Sequence, residues 1–392
     1  MHVNILIPPF LMYLIAISLS LSISAMEIGL GLVLLFLIIY LWQNKINIIK
    51  DNSYIIPFLL FWFATLCSVI FGNQESDKIG GIFAIWGLLY FFSAYYLVST
   101  STIRLIFASL LLGGVILSIS IFYDYFILNL PRPAGFLNMY LSSANILVII
   151  AITSLSIIVT GYEKGKYALL YGISILLLIF AIILTGSRMS VLSFIATASL
   201  IFIFKFKVKG LIYSIILLIL VSIISIFSDI GDRFAEILTG LTNVETSHGW
   251  RFVLWKAAFQ LFKDYPIFGI GDGAFEPLVL QIVPKSIFAT GHAHNGFIHL
   301  LVTYGIVGFI TFCYFYGKIT IDLLKNIYSN KYAFIGFFVI VSFFIESLTE
   351  SVFFDGETKM ITMFILGIVL GAIKKSISDN ATENKVSFYK NN

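Results

Sequence analysis

Three of the chain's five histidines, His292, His294 and His299, fall within eight positions at the start of an apolar run, TGHAHNGFIHLLVTYGIVGF. Neutral imidazole takes up a proton near neutral pH, so histidine in a loop is a candidate general base. His292 and His294 alternate along the chain and can face one cavity. His299 sits a turn inside the run, where a histidine is ordinarily structural. Arginine is unevenly placed too: Arg104 keeps company with lysine-rich connections, while Arg132, Arg188, Arg233 and Arg251 fall in connections of the opposite set. Positive charge for topology can come from lysine as well as arginine, so arginine kept elsewhere suggests a forked anion clamp. Arg233 has Asp229, Asp232 and Glu236 beside it and reads as a local ion pair.

A zinc site competes with this reading, because H-x-H with a third histidine nearby can supply ligands. Neither cysteine, Cys67 or Cys313, lies close, and the acidic residues show no accompanying ligand spacing or D-x-D pair. The expectation is therefore no metal and no cofactor. The lone cysteines also give no disulfide framework. GIGDGAF, with Gly269, Gly271 and Gly273, has neither a preceding strand nor a phosphate-binding lysine, and reads as a flexible turn.

The elements that must hold these residues are set by composition. The chain has 392 residues, 59% hydrophobic and 11% charged, with mean hydropathy +1.01. That leaves too little polar surface for a soluble globule. Apolar runs of about 18 residues or more recur along the chain, each long enough to cross a hydrocarbon core as a helix. They lack the alternation of barrel strands. The expected architecture is an all-α polytopic membrane protein with about 12 transmembrane helices, near 4–23, 26–43, 55–72, 79–98, 105–125, 144–161, 167–184, 190–204, 211–227, 296–316, 332–349 and 360–373. This divides the chain into helices over 1–227, an extramembrane loop subdomain with short helices over 228–295, three further helices over 296–373, and a polar tail over 374–392.

One alternate set of connections, with the tail, carries fifteen of the 24 basic residues and five of the 20 acidic ones. By the positive-inside rule both termini are cytoplasmic. The net charge of +4 then follows from these lysines and calls for no nucleic-acid partner. The opposite face receives the loop around 126–143, the TGSRMS turn, the ESVFFDGETK turn and the long insertion. Within the insertion, SHGWRFVLWKAAFQLFKDYP has the punctuation of a helix, with Ser247 as N-cap and Pro266 as stop. Its Lys256, Gln260 and Lys263 share one face, and Arg251 lies on the other with Leu254, Trp255, Ala258 and Phe262. The midplanes of the runs are nearly free of charge, unlike those of a coupled transporter. Glu346, with Glu350 a turn beyond it, is the best candidate for a buried charge, near the end of its run.

Histidine and arginine at a membrane boundary suit one metal-free chemistry. A glycan on a polyprenyl diphosphate has a good leaving group once two arginines meet its charge, and a histidine can take the proton of the acceptor hydroxyl.

These residues also carry a family resemblance. From His294 the chain reads His-Asn, nine residues, Gly305, two residues, Gly308, which resembles the H-[NSQ]-x9-G-x2-[GTY] signature of bacterial O-antigen ligases. RFVLWKAAFQLFKDYPIFGIGDGAF, TGSRMS and RPAGFLN are similar to the segments before that histidine in the ligase and polymerase superfamily. After RPAGF the family reads closer to G-N-P-N, whereas here Asn138 is followed by MYLSSAN. The resemblance implies a GT-C-like glycosyltransferase of the bacterial inner membrane in lipopolysaccharide biosynthesis. It would move a glycan, with inversion, from undecaprenyl diphosphate to lipid A-core at the periplasmic face. Under that resemblance His294 is the base, Arg188 and Arg251 hold the diphosphate, and Arg132, His292 and Asn295 are supporting candidates. An O-antigen polymerase, which extends the lipid-linked glycan, is the alternative; a flippase or channel is a remote one.

Overall fold

The computed structural model describes residues 9–137, 139–225, 247–283 and 291–390. The apolar runs fold as helices, and no strand occurs among the described residues. In chain order they are α1 (Pro9–Ser18), α2 (Ile23–Gln43), α3 (Ile55–Phe71), α4 (Lys78–Leu97), α5 (Ile103–Phe126), α6 (Tyr140–Val159) and α7 (Gly165–Leu184). Then come α8 (Arg188–Phe206), α9 (Val208–Ser225), α10 (Ser247–Asp264), α11 (Phe275–Ile282), α12 (Gly296–Asn326), α13 (Lys331–Ser347) and α14 (Gly356–Lys390). Among the described residues eight helices are long and apolar enough to cross a membrane: α2, α4 to α8, α12 and the Gly356–Ser376 part of α14. The chain is thus a multi-pass helical membrane protein. Of the twelve expected runs, four coincide with shorter described helices: α1 of 10 residues, α3 and α13 of 17 each, and α9 with its apolar stretch Val208–Ile223. Those fall short of the roughly 20 that a hydrocarbon core of about 30 Å asks for.

The core lies around α6 and α14. Ser142 to Ser154 of α6 and Thr358 to Ile373 of α14 are buried without interruption. A helix that is apolar all round belongs at the centre of a bundle. α6 packs against α7, α8, α13 and α14, and α14 also packs along α4. The latter contact is backbone against backbone: a Cβ on Gly367 or Gly371 would lie 2.3 Å from the Phe91 carbonyl oxygen or 2.4 Å from that of Tyr95. The tail that composition marks as polar continues the backbone of α14 as helix to Lys390 instead of leaving it as irregular chain.

α12 is broken at Gly305, where φ is 66° and ψ is −171°. A break inside an apolar helix frees backbone groups that the surroundings must satisfy. Here a second stretch of backbone does so. Ile306 N–H donates to the Pro266 carbonyl at 2.9 Å and Val307 N–H to that of Ile267 at 3.2 Å. In return the Val302 and Thr303 carbonyls accept from Ile270 and Gly271, both at 3.0 Å. The same stretch reaches α3, since Asn73 N–H donates to Ile270 O at 2.8 Å and Ser68 Oγ to Thr303 O at 2.8 Å. GIGDGAF is therefore no flexible turn: Ile270 and Ala274 are fully buried, and the segment is pinned on both flanks. Glycine is needed because the two chains touch. A Cβ on Gly305 would lie 2.2 Å from Ile267 O, and one on Gly269, at φ 75°, would lie 2.4 Å from Thr303 O.

Gly305→Ala should destabilise the protein by about 1–3 kcal/mol from the left-handed backbone alone, with the clash adding to it. Gly317→Ala, with nothing within 4 Å of its Cβ, should stay within about 0.5 kcal/mol. Thermal unfolding of the two variants in detergent checks this; equal midpoints would remove the break as a structural requirement.

Candidate active site

Four connections that the charge pattern assigns to one face meet around a single cavity of about 180 Å³. Arg132 and Tyr140 come from the entry to α6, and Gly186, Ser187, Arg188 and Met189 from the turn into α8. Trp250 and Arg251 come from α10, His294 from just before α12, and Glu350 from the turn between α13 and α14.

Each side chain is placed by local chemistry. Arg188 is the first residue of α8, whose N-cap Ser187 accepts from Ser190 N–H. The positive end of that helix thus faces the cavity beside a guanidinium, an arrangement that favours an anion. α10 lays Leu254, Ala257, Ala258 and Leu261 inward and leaves Lys256, Gln260 and Lys263 exposed, as its amphipathic pattern requires. Arg251 is held with the inward face and its side chain is 18% exposed. Trp255 Nε1 donates to the Ala293 carbonyl at 2.9 Å and so ties α10 to the histidine loop.

Asn295 caps α12 by accepting from Phe297 and Ile298 N–H, while its amide donates to Leu348 O at 3.0 Å. It fixes the start of α12 against the end of α13 and does not line the cavity. His294 itself has φ 48°, in the left-handed region that non-glycine residues seldom occupy. A conformation of that kind persists only where neighbours enforce it, and such residues cluster at functional sites.

Sequence reasoning noted Glu350 only as the neighbour of Glu346, and it proves to be the hub. One carboxylate oxygen accepts from Arg251 Nη2 at 2.8 Å and the other lies 3.0 Å from His294 Nδ1. Burial pushes this carboxyl upward, but the His294 hydrogen bond and the charges of His294 and Arg251 outweigh it and hold it below the ordinary carboxylate range. Arg251 thus pairs with a carboxylate, yet a guanidinium has five N–H donors and can still serve an anion in the cavity. No local signal could have named Glu350, which stands 99 and 56 residues from its partners. The usable hint was a carboxylate in a connection of the right face.

The remaining candidates separate by position. Arg132 sits at the exposed rim, donating to Tyr140 Oη at 2.9 Å with its guanidinium 5.0 Å from that ring. His292 packs edge-on to His294, ring centres 4.4 Å apart. Burial, and next the neighbouring His294, lower its pKa, so it is held neutral. His299 is buried, with its ring against Phe275 and Phe354, as a structural residue would be. Arg233 and Asn138 lie outside the described residues. His292, His294 and Glu350 each offer one ligand atom, all within 4.8 Å of one another, so the acidic ligand that no spacing announced is supplied by the fold.

Comparison with known proteins gives two findings. Residues 173–313 match the family described as O-antigen ligase. A protein of Haemophilus influenzae named only as uncharacterized is 28% identical over 283 residues, which covers 67% of this chain and 70% of that protein. The matched segment runs from α7 into α12 and so includes Arg188, Arg251, His292, His294 and Asn295, while Arg132 and Glu350 fall outside it. Residues 173–313, about a third of the chain, are thus similar to the O-antigen ligase family, and the match covers most of the residues that line the cavity.

Proposed function

We propose that the protein is an O-antigen ligase that moves a glycan from undecaprenyl diphosphate to a sugar hydroxyl of lipid A-core, at the periplasmic face of the bacterial inner membrane. The observation that carries the reading is the histidine held by a carboxylate in a cavity ringed by three arginines. A proton on Nδ1, donated to Glu350, leaves Nε2 as the basic nitrogen. As the acceptor oxygen attacks the anomeric carbon, its proton passes to His294 Nε2. The bond from that carbon to the diphosphate breaks on the opposite side, the electron pair leaves with the phosphate oxygen, and the configuration inverts. Glu350 pairs with the imidazolium as it forms. Arg188, the N-terminus of α8 and Arg251 meet the charge that builds on the leaving group, so the step asks for no metal. Arg132 and Tyr140 at the rim suit contact with the glycan.

A deletion strain complemented with wild type or variants separates this reading from its rival. A ligase leaves bare core and accumulated lipid-linked polymer on deletion, whereas loss of a polymerase leaves core bearing at most one repeat. His294→Ala should lower transfer by about 10²–10⁴-fold with normal membrane abundance and donor binding retained; an unchanged polysaccharide ladder would return His294 to packing. Arg251→Lys should weaken donor binding by about tenfold or more, since lysine supplies a point charge where a fork is needed. Binding measured on purified protein decides that, and full affinity would remove Arg251 from the clamp. Glu350→Gln should cost turnover by up to about 10⁴-fold, because an amide fixes the wrong tautomer behind a histidine base. A loss of donor affinity with turnover spared would place Glu350 in binding instead.

A further inference from the structure

We propose that His292, His294 and Glu350 form a binding site for a zinc-class transition-metal dication, and that its occupancy switches the cavity off. The site shares His294 and Glu350 with the transfer chemistry, which itself asks for no metal.

The geometry is close to what such an ion needs. Bonds of about 2.0–2.2 Å in a tetrahedral site put neighbouring donors roughly 3.3 Å apart. His294 Nδ1 and Glu350 Oε2 already lie 3.0 Å apart. All three donors fall within 4.8 Å of one another, so His292 must close in by on the order of 1 Å. The fourth position opens towards the cavity, where a water can fill it. Two imidazoles and one carboxylate select zinc, cobalt or nickel over magnesium or calcium, which want oxygen donors. Trp250 stands 5.3 Å from the His294 ring and shields the group on one side.

Arg251 is the opposing charge, because its Nη2 lies 2.8 Å from Glu350 Oε1. The two cations would share the carboxylate through different oxygens, so the ion binds against repulsion from the guanidinium. Binding replaces the proton between Nδ1 and Oε2, which leaves to solvent. The imidazole is then fixed to the metal, and Glu350 no longer stands behind it. The inhibition rests on reading His294 as the base, whereas the binding does not.

The test uses the purified full chain in lipid nanodiscs, stripped with chelator and titrated with Co²⁺ by visible absorption and Zn²⁺ by calorimetry. One ion per chain is expected, with the intensity of tetrahedral cobalt. His292→Ala should weaken binding by more than about tenfold, and Arg251→Gln should tighten it, with thermal unfolding confirming that both variants fold. Absence of a single ion per chain, unchanged affinity in His292→Ala, or weaker binding in Arg251→Gln overturns the site. Glycan transfer is then assayed with Zn²⁺ and after chelation. Reversible inhibition of the wild type supports the switch; binding without inhibition overturns the switch and tells against His294 as the base, while the site stands.

Discussion

The arrangement of this protein depends on how a break in an apolar helix is repaired. At Gly305 α12 gives up its own backbone ladder, and the Pro266 to Gly271 stretch supplies the missing partners from the side. The same bonds hold Pro266 to Gly271 against α12 and so fix the end of α10, which stops at Asp264. Arg251 is therefore delivered to Glu350 by a contact made between backbones some distance away. It also accounts for the signature: from the histidine to Gly305 is the length of α12 before its break, and both ends of that stretch are fixed.

Much of the fold was legible because membrane helices announce themselves. A hydrocarbon core must be crossed by apolar residues, and polar breaks mark where each crossing ends. The grouping of connections by charge placed Arg132, Arg188, Arg251 and His294 on one face, and these residues line one cavity. α10 was readable from its proline stop and the spacing of its lysines.

What escaped the sequence was long-range. Glu350 becomes important only through partners that no periodicity links to it, and GIGDGAF looked mobile because glycine stands equally for freedom and for close contact. Here it stands for contact, and only the opposing backbone at Val302 to Val307 tells the difference. The polar tail beyond Lys374 adds a related point: low hydropathy removes the drive to be buried without removing the ability to continue a helix already begun.

The shared carboxylate of Glu350 also fixes how much charge the cavity holds. Three arginines against one carboxylate leave an excess of two positive charges around a space of about 180 Å³. A diphosphate joined to a lipid on one side and a sugar on the other carries two negative charges, so under the proposed function the loaded site is neutral. Transfer frees one end of the diphosphate and adds negative charge, while the proton stays for the moment on His294. The cavity holds its balance only until that proton leaves, after which the spent carrier is over-charged for its surroundings. Deprotonation of the histidine would thus both reset the base and loosen the product.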